Sequence, residues 1–264
     1  LRTMSYKSTY PSINGCKLHL REAGKGRPIL FLHGAGSGVM EWLPFFDRLA
    51  EAGHLLVPDH PGFGDSDDPS WIKAIPDMAM FYLEMLEELD LHDVHVIGHS
   101  LGGWIAAEMA VRNRTRIRDI TLMAPAGLRK KGLQYADLFI QTPLERVNAL
   151  YADKRFVEAQ LAKPLSEEDR DKLLKNWFAS AKLAWEPRGF SLVLPNWLHR
   201  IKNPVRLIWG KDDAVIPSAV SSEWVEKLPS VKYFQMIEQC GHMPHIEKLD
   251  EVVGRLIEDI KTSA

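Results

Sequence analysis

Short runs of apolar residues alternate along the chain with longer segments in which apolar positions recur every three or four residues. Two of the runs, Ile29–Leu32 and Val205–Trp209, are almost continuously apolar, as in strands that are buried on both faces. The predicted strands are Lys17–Glu22, Ile29–His33, Leu55–Pro58, Val94–Gly98, Ile120–Ala124, Val205–Gly210 and Lys232–Ile237. The predicted helices between and after them are Asp77–Leu91, Leu101–Arg112, Ser218–Leu228 and Leu249–Thr262. This alternation predicts an α/β fold with a doubly wound, mostly parallel sheet and helices on both faces.

One segment, residues 128–200, interrupts this alternation because it contains no convincing strand. Its pattern predicts three helices instead, over Leu138–Tyr151, Asp153–Ala162 and Ser166–Ala184. Ser166 precedes three acidic residues, which is typical of a helix N-terminus. At roughly 70 residues the segment is too long for an ordinary connection. We therefore predict a core of residues 1–127 and 201–264, with residues 128–200 as a helical cap. We expect the cap to be inserted after the sixth core strand.

Composition narrows the classes of partner and compartment. The net charge is only −2, which gives no reason to expect nucleic acid or an anionic membrane as a partner. Cys16 and Cys240 lie far apart and form no disulfide framework, so we expect a reducing cytoplasm. Residues Leu1–Tyr10 lack the apolar stretch of a signal peptide, and no run approaches the ~20 apolar residues of a membrane span. We expect no cofactor, and the composition sets no oligomeric state.

A possible nucleophile lies where a strand is predicted to end and a helix to begin. Gly98-His99-Ser100-Leu101-Gly102 has the pattern G-x-S-x-G, directly after the apolar run that starts at Val94. At a sharp strand-to-helix turn, a serine hydroxyl stands clear of the backbone, and flanking glycines avoid a Cβ clash. The same five-residue pattern also occurs by chance in glycine-rich turns. The motif therefore needs partners before it indicates chemistry.

Candidate partners follow in the order serine, acid, histidine. A serine hydroxyl needs a base, and the base needs an orienting carboxylate. The loop after Val205–Gly210 offers Asp213, which we prefer, and Asp212 as the alternative. Near the C-terminus, His242 follows a glycine and is the preferred base, with His245 as the runner-up. The two histidines have no third ligand near them in sequence, so we predict no metal site.

A glycine-rich loop after another predicted strand can stabilise negative charge. Residues 33–38 read His-Gly-Ala-Gly-Ser-Gly, which lets the backbone approach a ligand closely. We predict that the amides of Ala35 and Leu101 form an oxyanion hole. A dinucleotide-binding loop is excluded because the third glycine of that fingerprint would fall on Val39.

Together these motifs resemble those of the α/β-hydrolase superfamily, in its serine-hydrolase branch with a helical lid. The matching positions are His33-Gly34-Ala35-Gly36, Asp59-x-Pro61-Gly62-x-Gly64-x-Ser66, Gly98-x-Ser100-x-Gly102-Gly103, Gly210-x-x-Asp213-x-x-x-Pro217 and Gly241-His242. The resemblance covers nearly the whole chain apart from the lid. It implies a Ser100–Asp213–His242 triad but does not identify the substrate, because one fold carries many reactions. The C–C hydrolases of this superfamily usually carry Asn before the serine and an aromatic residue after the catalytic histidine. Here these positions hold His99 and Met243.

We therefore expect a hydrolase of small or medium apolar carboxylic esters that acts through an acyl-enzyme. One alternative is a C–C bond hydrolase of dienoate ring-fission products, and another is a non-catalytic ligand-binding protein on the same scaffold. The expected partner is a small ester, held in an apolar pocket under the cap. The predicted pocket residues are Gly34, His99, Trp104, Trp185 and Arg188. An arginine such as Arg188 could bind the carboxylate that a dienoate carries.

Overall fold

The computed structural model describes residues 5–36 and 38–262, so Ser37 of the predicted glycine-rich loop lies outside the described part. An eight-stranded sheet forms the centre. Its strands are β1 (Lys7–Thr9), β2 (Leu20–Ala23), β3 (Pro28–Leu32), β4 (His54–Pro58), β5 (Val94–His99), β6 (Ile117–Met123), β7 (Val205–Gly210) and β8 (Val231–Ile237). The spatial order is β1-β2-β4-β3-β5-β6-β7-β8. The pairs β1–β2 and β2–β4 are antiparallel, and the others are parallel.

Helices cover both faces of this sheet. They are α1 (Pro44–Ala50), α2 (Ile75–Glu88), α3 (Leu101–Arg112), α4 (Pro143–Leu150), α5 (Lys154–Ala162), α6 (Glu167–Ala184), α7 (Ser221–Lys227), α8 (Pro244–Glu247) and α9 (Leu249–Thr262). Alternate residues of β3 point to opposite faces, so Leu30 packs in one apolar cluster with α2 and α3, and Phe31 packs in the other with α1 and α9. The doubly wound arrangement follows from this two-sided burial. Within the described residues, no helix is both long and apolar enough to cross a bilayer.

The cap helices α4, α5 and α6 lie between β6 and β7, the sixth and seventh strands of the sheet. Helix α6 begins after Ser166, whose hydroxyl accepts a hydrogen bond from the Asp169 amide. Helix α4 begins later than the predicted residue 138 because Pro143 occupies its first turn. A residue before proline avoids the helical region, and Thr142 accordingly has an extended backbone.

Other local boundaries differ from the sequence-based expectation. The predicted strand Lys17–Glu22 is divided, since Cys16–Lys17 forms a small hairpin with Ser12–Ile13 and β2 begins at Leu20. The first turn of the predicted helix Ser218–Leu228 is a 3-10 turn over Ser218–Val220. Neither difference moves the ends of β5, β7 or β8, which carry the predicted site.

Polar contacts hold α6 against the core loop that follows β4. The Gly64 amide donates to Asn176 Oδ1 at 2.8 Å, and Lys175 Nζ donates to the Ser66 carbonyl at 2.7 Å. Closer to the sheet, the Gly36 amide donates to Ser180 Oγ at 2.9 Å. The cap therefore lies directly over the carboxyl ends of the parallel strands.

Candidate active site

Ser100 occupies a strained backbone position between β5 and α3. Its φ of 53° and ψ of −114° are unusual for a residue with a side chain. The turn is tight: a Cβ on Gly98 would lie 2.3 Å from the Gly102 carbonyl oxygen, and one on Gly102 would lie 2.0 Å from that of Leu32. Glycine is therefore required at both positions. The Ser100 amide donates to the Met123 carbonyl at 2.9 Å, which ties the turn to β6.

The predicted acid and base are in direct contact. His242 Nδ1 lies 2.8 Å from Asp213 Oδ2, and both side chains are buried. The other carboxylate oxygen of Asp213 accepts from the amides of Val215 and Ile216, each at 2.9 Å. These bonds fix the carboxylate and leave Oδ2 for the imidazole. Asp212, the alternative acid, is exposed.

His242 and Ser100 line the same cavity, of about 220 Å³, which we call the inner cavity. His99 lies beside them and donates from Nε2 to the His242 carbonyl at 2.8 Å. Burial, and the nearby rings of His245 and His242, hold the pKa of His99 well below its usual value. His99 is therefore a neutral support for the loop that carries the predicted base, His242.

A second cavity, of about 240 Å³, meets the inner one at Ser100, and we call it the outer cavity. Ala35 lines both cavities, and Leu101, the first residue of α3, lines the outer one. The N-terminus of α3 contributes partial positive charge near Ser100. Gly34 lines the inner cavity, and a Cβ there would lie 3.1 Å from His99 Nδ1 and 3.2 Å from Ser100 Cβ. The predicted oxyanion residues thus lie next to the serine.

Two of the predicted pocket residues lie elsewhere. Trp104 is buried under Gly127, donates its indole N–H to Glu108 at 3.2 Å, and lines neither cavity. Trp185 also lies outside both and is 49% exposed. The direction of an aromatic side chain on a helix or loop depends on packing that sequence spacing does not define. These two expectations are therefore corrected.

Arg188 lines the outer cavity as predicted, together with Arg129. Its Nη1 contacts both carboxylate oxygens of Asp137, at 2.7 and 2.5 Å, and its guanidinium lies 4.0 Å from the ring centre of Trp185. Arg129 lies over the rings of Tyr135 and Phe190. An apolar wall with two guanidinium groups suits a ligand that has both a hydrocarbon part and an anionic end.

Comparisons with known proteins identify the family of this chain. The profile of a family described as "Alpha/beta hydrolase family" matches residues 29–255. The chain belongs to the alpha/beta hydrolase family. A curated relative from Paraburkholderia phymatum is named 2-hydroxy-6-oxononadienedioate/2-hydroxy-6-oxononatrienedioate hydrolase. It is 26% identical over 95% of this chain and 94% of its own length.

Two solved structures share the fold of this hydrolase. The meta-cleavage product hydrolase of Pseudomonas fluorescens IP01 superimposes with a TM-score of 0.82 at 22% identity, covering 98% of each chain. An esterase from Exiguobacterium antarcticum superimposes with a TM-score of 0.71 at 19% identity, covering 98% of this hydrolase and 100% of the esterase. At these identities the likeness establishes the fold alone.

Glu247 is a site residue of the hydrolase that the sequence reasoning missed. Its Oε2 accepts from the Gly241 amide at 2.6 Å, next to His242. Its Oε1 accepts from the amides of Ala152 and Asp153, at 2.9 and 2.8 Å. One buried carboxylate thus joins the base-carrying loop to the cap. The sequence shows only a glutamate five residues after the predicted base; its burial, which makes partners necessary, is visible in the structure alone.

Replacing Glu247 with glutamine is expected to lower the free energy of unfolding by about 1–3 kcal/mol, because an amide nitrogen then faces a backbone N–H donor. Urea unfolding measures this change, and the rate of fluorophosphonate labelling at Ser100 reports on the base. Glu251→Gln is the matched control, since Glu251 is exposed on α9. Equal stability of the two variants would contradict the assigned role of Glu247.

Another buried polar cluster of the hydrolase lies away from Ser100. His19 Nδ1 lies 2.8 Å from Asp59 Oδ2, and Arg21 Nη1 donates to Asp59 Oδ1 at 2.8 Å. The Asp65 amide donates to Asp59 Oδ2 at 3.0 Å. Burial raises the pKa of Asp59, but the bonds from His19 and Arg21 outweigh burial, and the pKa is lowered. Arg21 supplies the positive charge, so Asp59 braces the turn after β4, as a turn aspartate is expected to do.

Proposed function

We propose that this hydrolase cleaves a carbon–carbon bond next to a ketone, in a dienoate of the meta-cleavage type. The observation that carries the proposal is the pair of guanidinium groups, Arg129 and Arg188, in the outer cavity beside Ser100. Among the described residues, none forms a hydrogen bond to Arg188 Nη2. A substrate carboxylate can therefore bind there while its carbonyl carbon reaches the serine. Several curated relatives are named as hydrolases of such dienoates, which supports the same substrate class.

The proposed mechanism uses Ser100 as the nucleophile. His242 takes the hydroxyl proton while Asp213 holds its other nitrogen, and Ser100 Oγ attacks the ketone carbon. The amides of Ala35 and Leu101 stabilise the resulting oxyanion. The substrate reacts as its keto tautomer, in which the proton of the 2-hydroxyl group has moved to C5. The C5–C6 bond then breaks, its electron pair moves through C4 and C3 to the C2 carbonyl, and the oxygen of the resulting dienolate takes the proton from His242. Water, deprotonated by the same imidazole, attacks the acyl-enzyme and releases a carboxylic acid.

Ester hydrolysis is the second candidate function. His99 and Met243 favour it, because they replace the Asn and the aromatic residue that C–C hydrolases of the superfamily usually carry. Asp137 also favours it, since this carboxylate already occupies Nη1 of Arg188. The same catalytic groups would act, with an alcohol oxygen instead of a carbon accepting the proton from His242.

One experiment separates the candidate functions. Purified protein is given the dienoate 2-hydroxy-6-oxononadienedioate, followed by its absorbance, and a series of p-nitrophenyl esters of increasing chain length. If the proposal is right, Arg188→Gln raises KM for the dienoate by about 10- to 100-fold, because the substrate loses a hydrogen bond to a charged group. The same substitution changes ester hydrolysis little. Asp137→Asn is the matched control. It removes the same ion pair but keeps the arginine, and it is expected to lower KM for the dienoate.

The other outcomes are equally specific. Hydrolysis of esters with no cleavage of the dienoate would establish the second candidate. Absence of turnover together with absence of fluorophosphonate labelling at Ser100 would establish the non-catalytic alternative.

A further inference from the structure

His245 is a buried imidazole in the wall of the inner cavity that the proposed mechanism does not use. It is 3% exposed and packs against Phe31 and Phe45, with ring centres 6.0 and 5.4 Å away. Its Nδ1 is fully buried without a partner, and no described residue forms a hydrogen bond to either ring nitrogen. Buried polar groups in proteins are nearly always paired. Nε2 is not among the fully buried unpaired atoms, so it is the ring nitrogen that a molecule in the inner cavity can reach.

The surroundings of His245 determine which kind of group it offers. Burial, with the nearby His242, lowers the pKa of His245 to about 3, so the ring is neutral and carries one N–H. In proteins, buried N–H groups without a partner are rarer than buried acceptors without one. The enclosed Nδ1 of His245 is therefore assigned the lone pair, and Nε2 carries the proton. His99, with its ring centre 4.7 Å away, already donates from Nε2 to the His242 carbonyl. Of these two imidazoles, His245 is therefore the one with a free donor.

We propose that His245 binds an acceptor oxygen, such as a ketone, on the acyl part of the substrate. The inference rests on the proposed function, because the arginines of the outer cavity then hold the carboxylate end and leave the inner cavity for the acyl group. The inference narrows the substrate class to compounds whose acyl group carries an oxygen along its chain and is not a plain hydrocarbon. A hydrocarbon in this cavity would leave the N–H of His245 buried and unpaired.

Matched pairs of activated esters test this inference. The p-nitrophenyl esters of 4-oxopentanoate and 4-methylpentanoate differ only at C4, where a methyl group and a hydrogen replace the ketone oxygen. The 5-oxohexanoate and 5-methylhexanoate pair extends the chain by one carbon. The readout is kcat/KM for the oxo ester divided by kcat/KM for the methyl ester. For one chain length, this ratio is expected to be roughly tenfold higher in the wild type than in His245→Phe, because one hydrogen bond is lost.

Two control variants sharpen the comparison. His245→Gln retains a side-chain N–H and is expected to restore part of the ratio. Tyr151→Phe removes a hydroxyl from another residue of the inner cavity and is expected to leave the ratio unchanged. Equal ratios in wild type and His245→Phe at both chain lengths, with the esters hydrolysed, would overturn the inference and leave the proposed function standing.

A binding measurement needs no turnover and keeps the two proposals distinguishable. Ser100→Ala protein with ¹⁵N-labelled histidine is titrated with 4-oxopentanoate and then with 4-methylpentanoate, and the longer pair follows. An oxo acid is expected to shift the His245 nitrogen signals, and its methyl counterpart is not. If neither oxo acid shifts these signals more than its counterpart does, the inference fails even where the dienoate is cleaved.

Discussion

Replacing Ser100 with alanine is expected to reduce kcat/KM by roughly 10⁵-fold, because nucleophile, base and acid act as one unit. The residual rate comes from binding and from the oxyanion amides, which the substitution leaves in place. Adding His242→Ala to Ser100→Ala is expected to cause almost no further loss. Steady-state kinetics on the dienoate and on the p-nitrophenyl esters measure both effects. If the second substitution caused a further large loss of kcat/KM in the double variant, the two side chains would not act as one unit.

The same position separates catalysis from backbone strain. Ser100→Ala keeps a Cβ at a φ of 53° and retains the strain, whereas Ser100→Gly removes both the hydroxyl and the strain. Both variants are expected to be inactive, but the glycine variant is expected to unfold with a free energy about 1 kcal/mol higher than that of the alanine variant. A less stable glycine variant would mean that the turn at Ser100 is relaxed.

Acid is expected to destabilise the protein steeply, because five histidines are buried in the neutral form: His33, His60, His95, His99 and His245. Burial lowers the pKa of His33 to about 4 and that of His245 to about 3, and it also lowers the other three. Below an ordinary histidine pKa of about 6.5, the unfolded chain binds protons that the folded chain does not, so stability falls with pH. The loss from His33 continues down to about pH 4 and that from His245 down to about pH 3, where each titrates in the folded state.

His33 and His245 alone are expected to make the free energy of unfolding roughly 4 kcal/mol lower at pH 5 than at pH 7, at about 1.4 kcal/mol per group for each pH unit below 6.5. The other three buried histidines are expected to lower it further. Since a typical domain is stable by about 5–15 kcal/mol, unfolding is expected near pH 5. Urea unfolding at half-unit steps from pH 7 to pH 5 measures the slope. His245→Phe is expected to reduce the slope by one group, and His199→Gln, at an exposed position, is not. A stability that does not change over this range would contradict the prediction.

The fold was predictable because its signals are local and repeated. Buried parallel strands give continuous apolar runs, so β3, β5 and β7 were found nearly at their observed ends. Those ends carry or adjoin the glycine-rich loop, Ser100 and Asp213, and parallel strands bring them to one edge of the sheet. The contact between Asp213 and His242 thus joins residues far apart in sequence through a pattern visible in the sequence itself.

What the sequence did not reveal depends on tertiary packing. Trp104 and Trp185 were expected in the pocket, but the sequence does not determine in which direction an aromatic side chain points. The pairing of Arg188 with Asp137 joins two cap loops with no shared periodicity. Helix α1 and strand β1 are short, so their patterns are too brief to stand out.

Helix α5 lies between two anchored parts of the cap. Glu247 holds residues 152–153 to the base-carrying loop, and α6 is bonded to the loop after β4. Gln160 of α5 also lines the inner cavity. Insertions and deletions within α5 can therefore reshape the wall around the acyl group while the imidazole keeps its position. As related genes diverge, changes in this short helix can therefore alter the substrate preference while the proposed catalytic residues keep their positions.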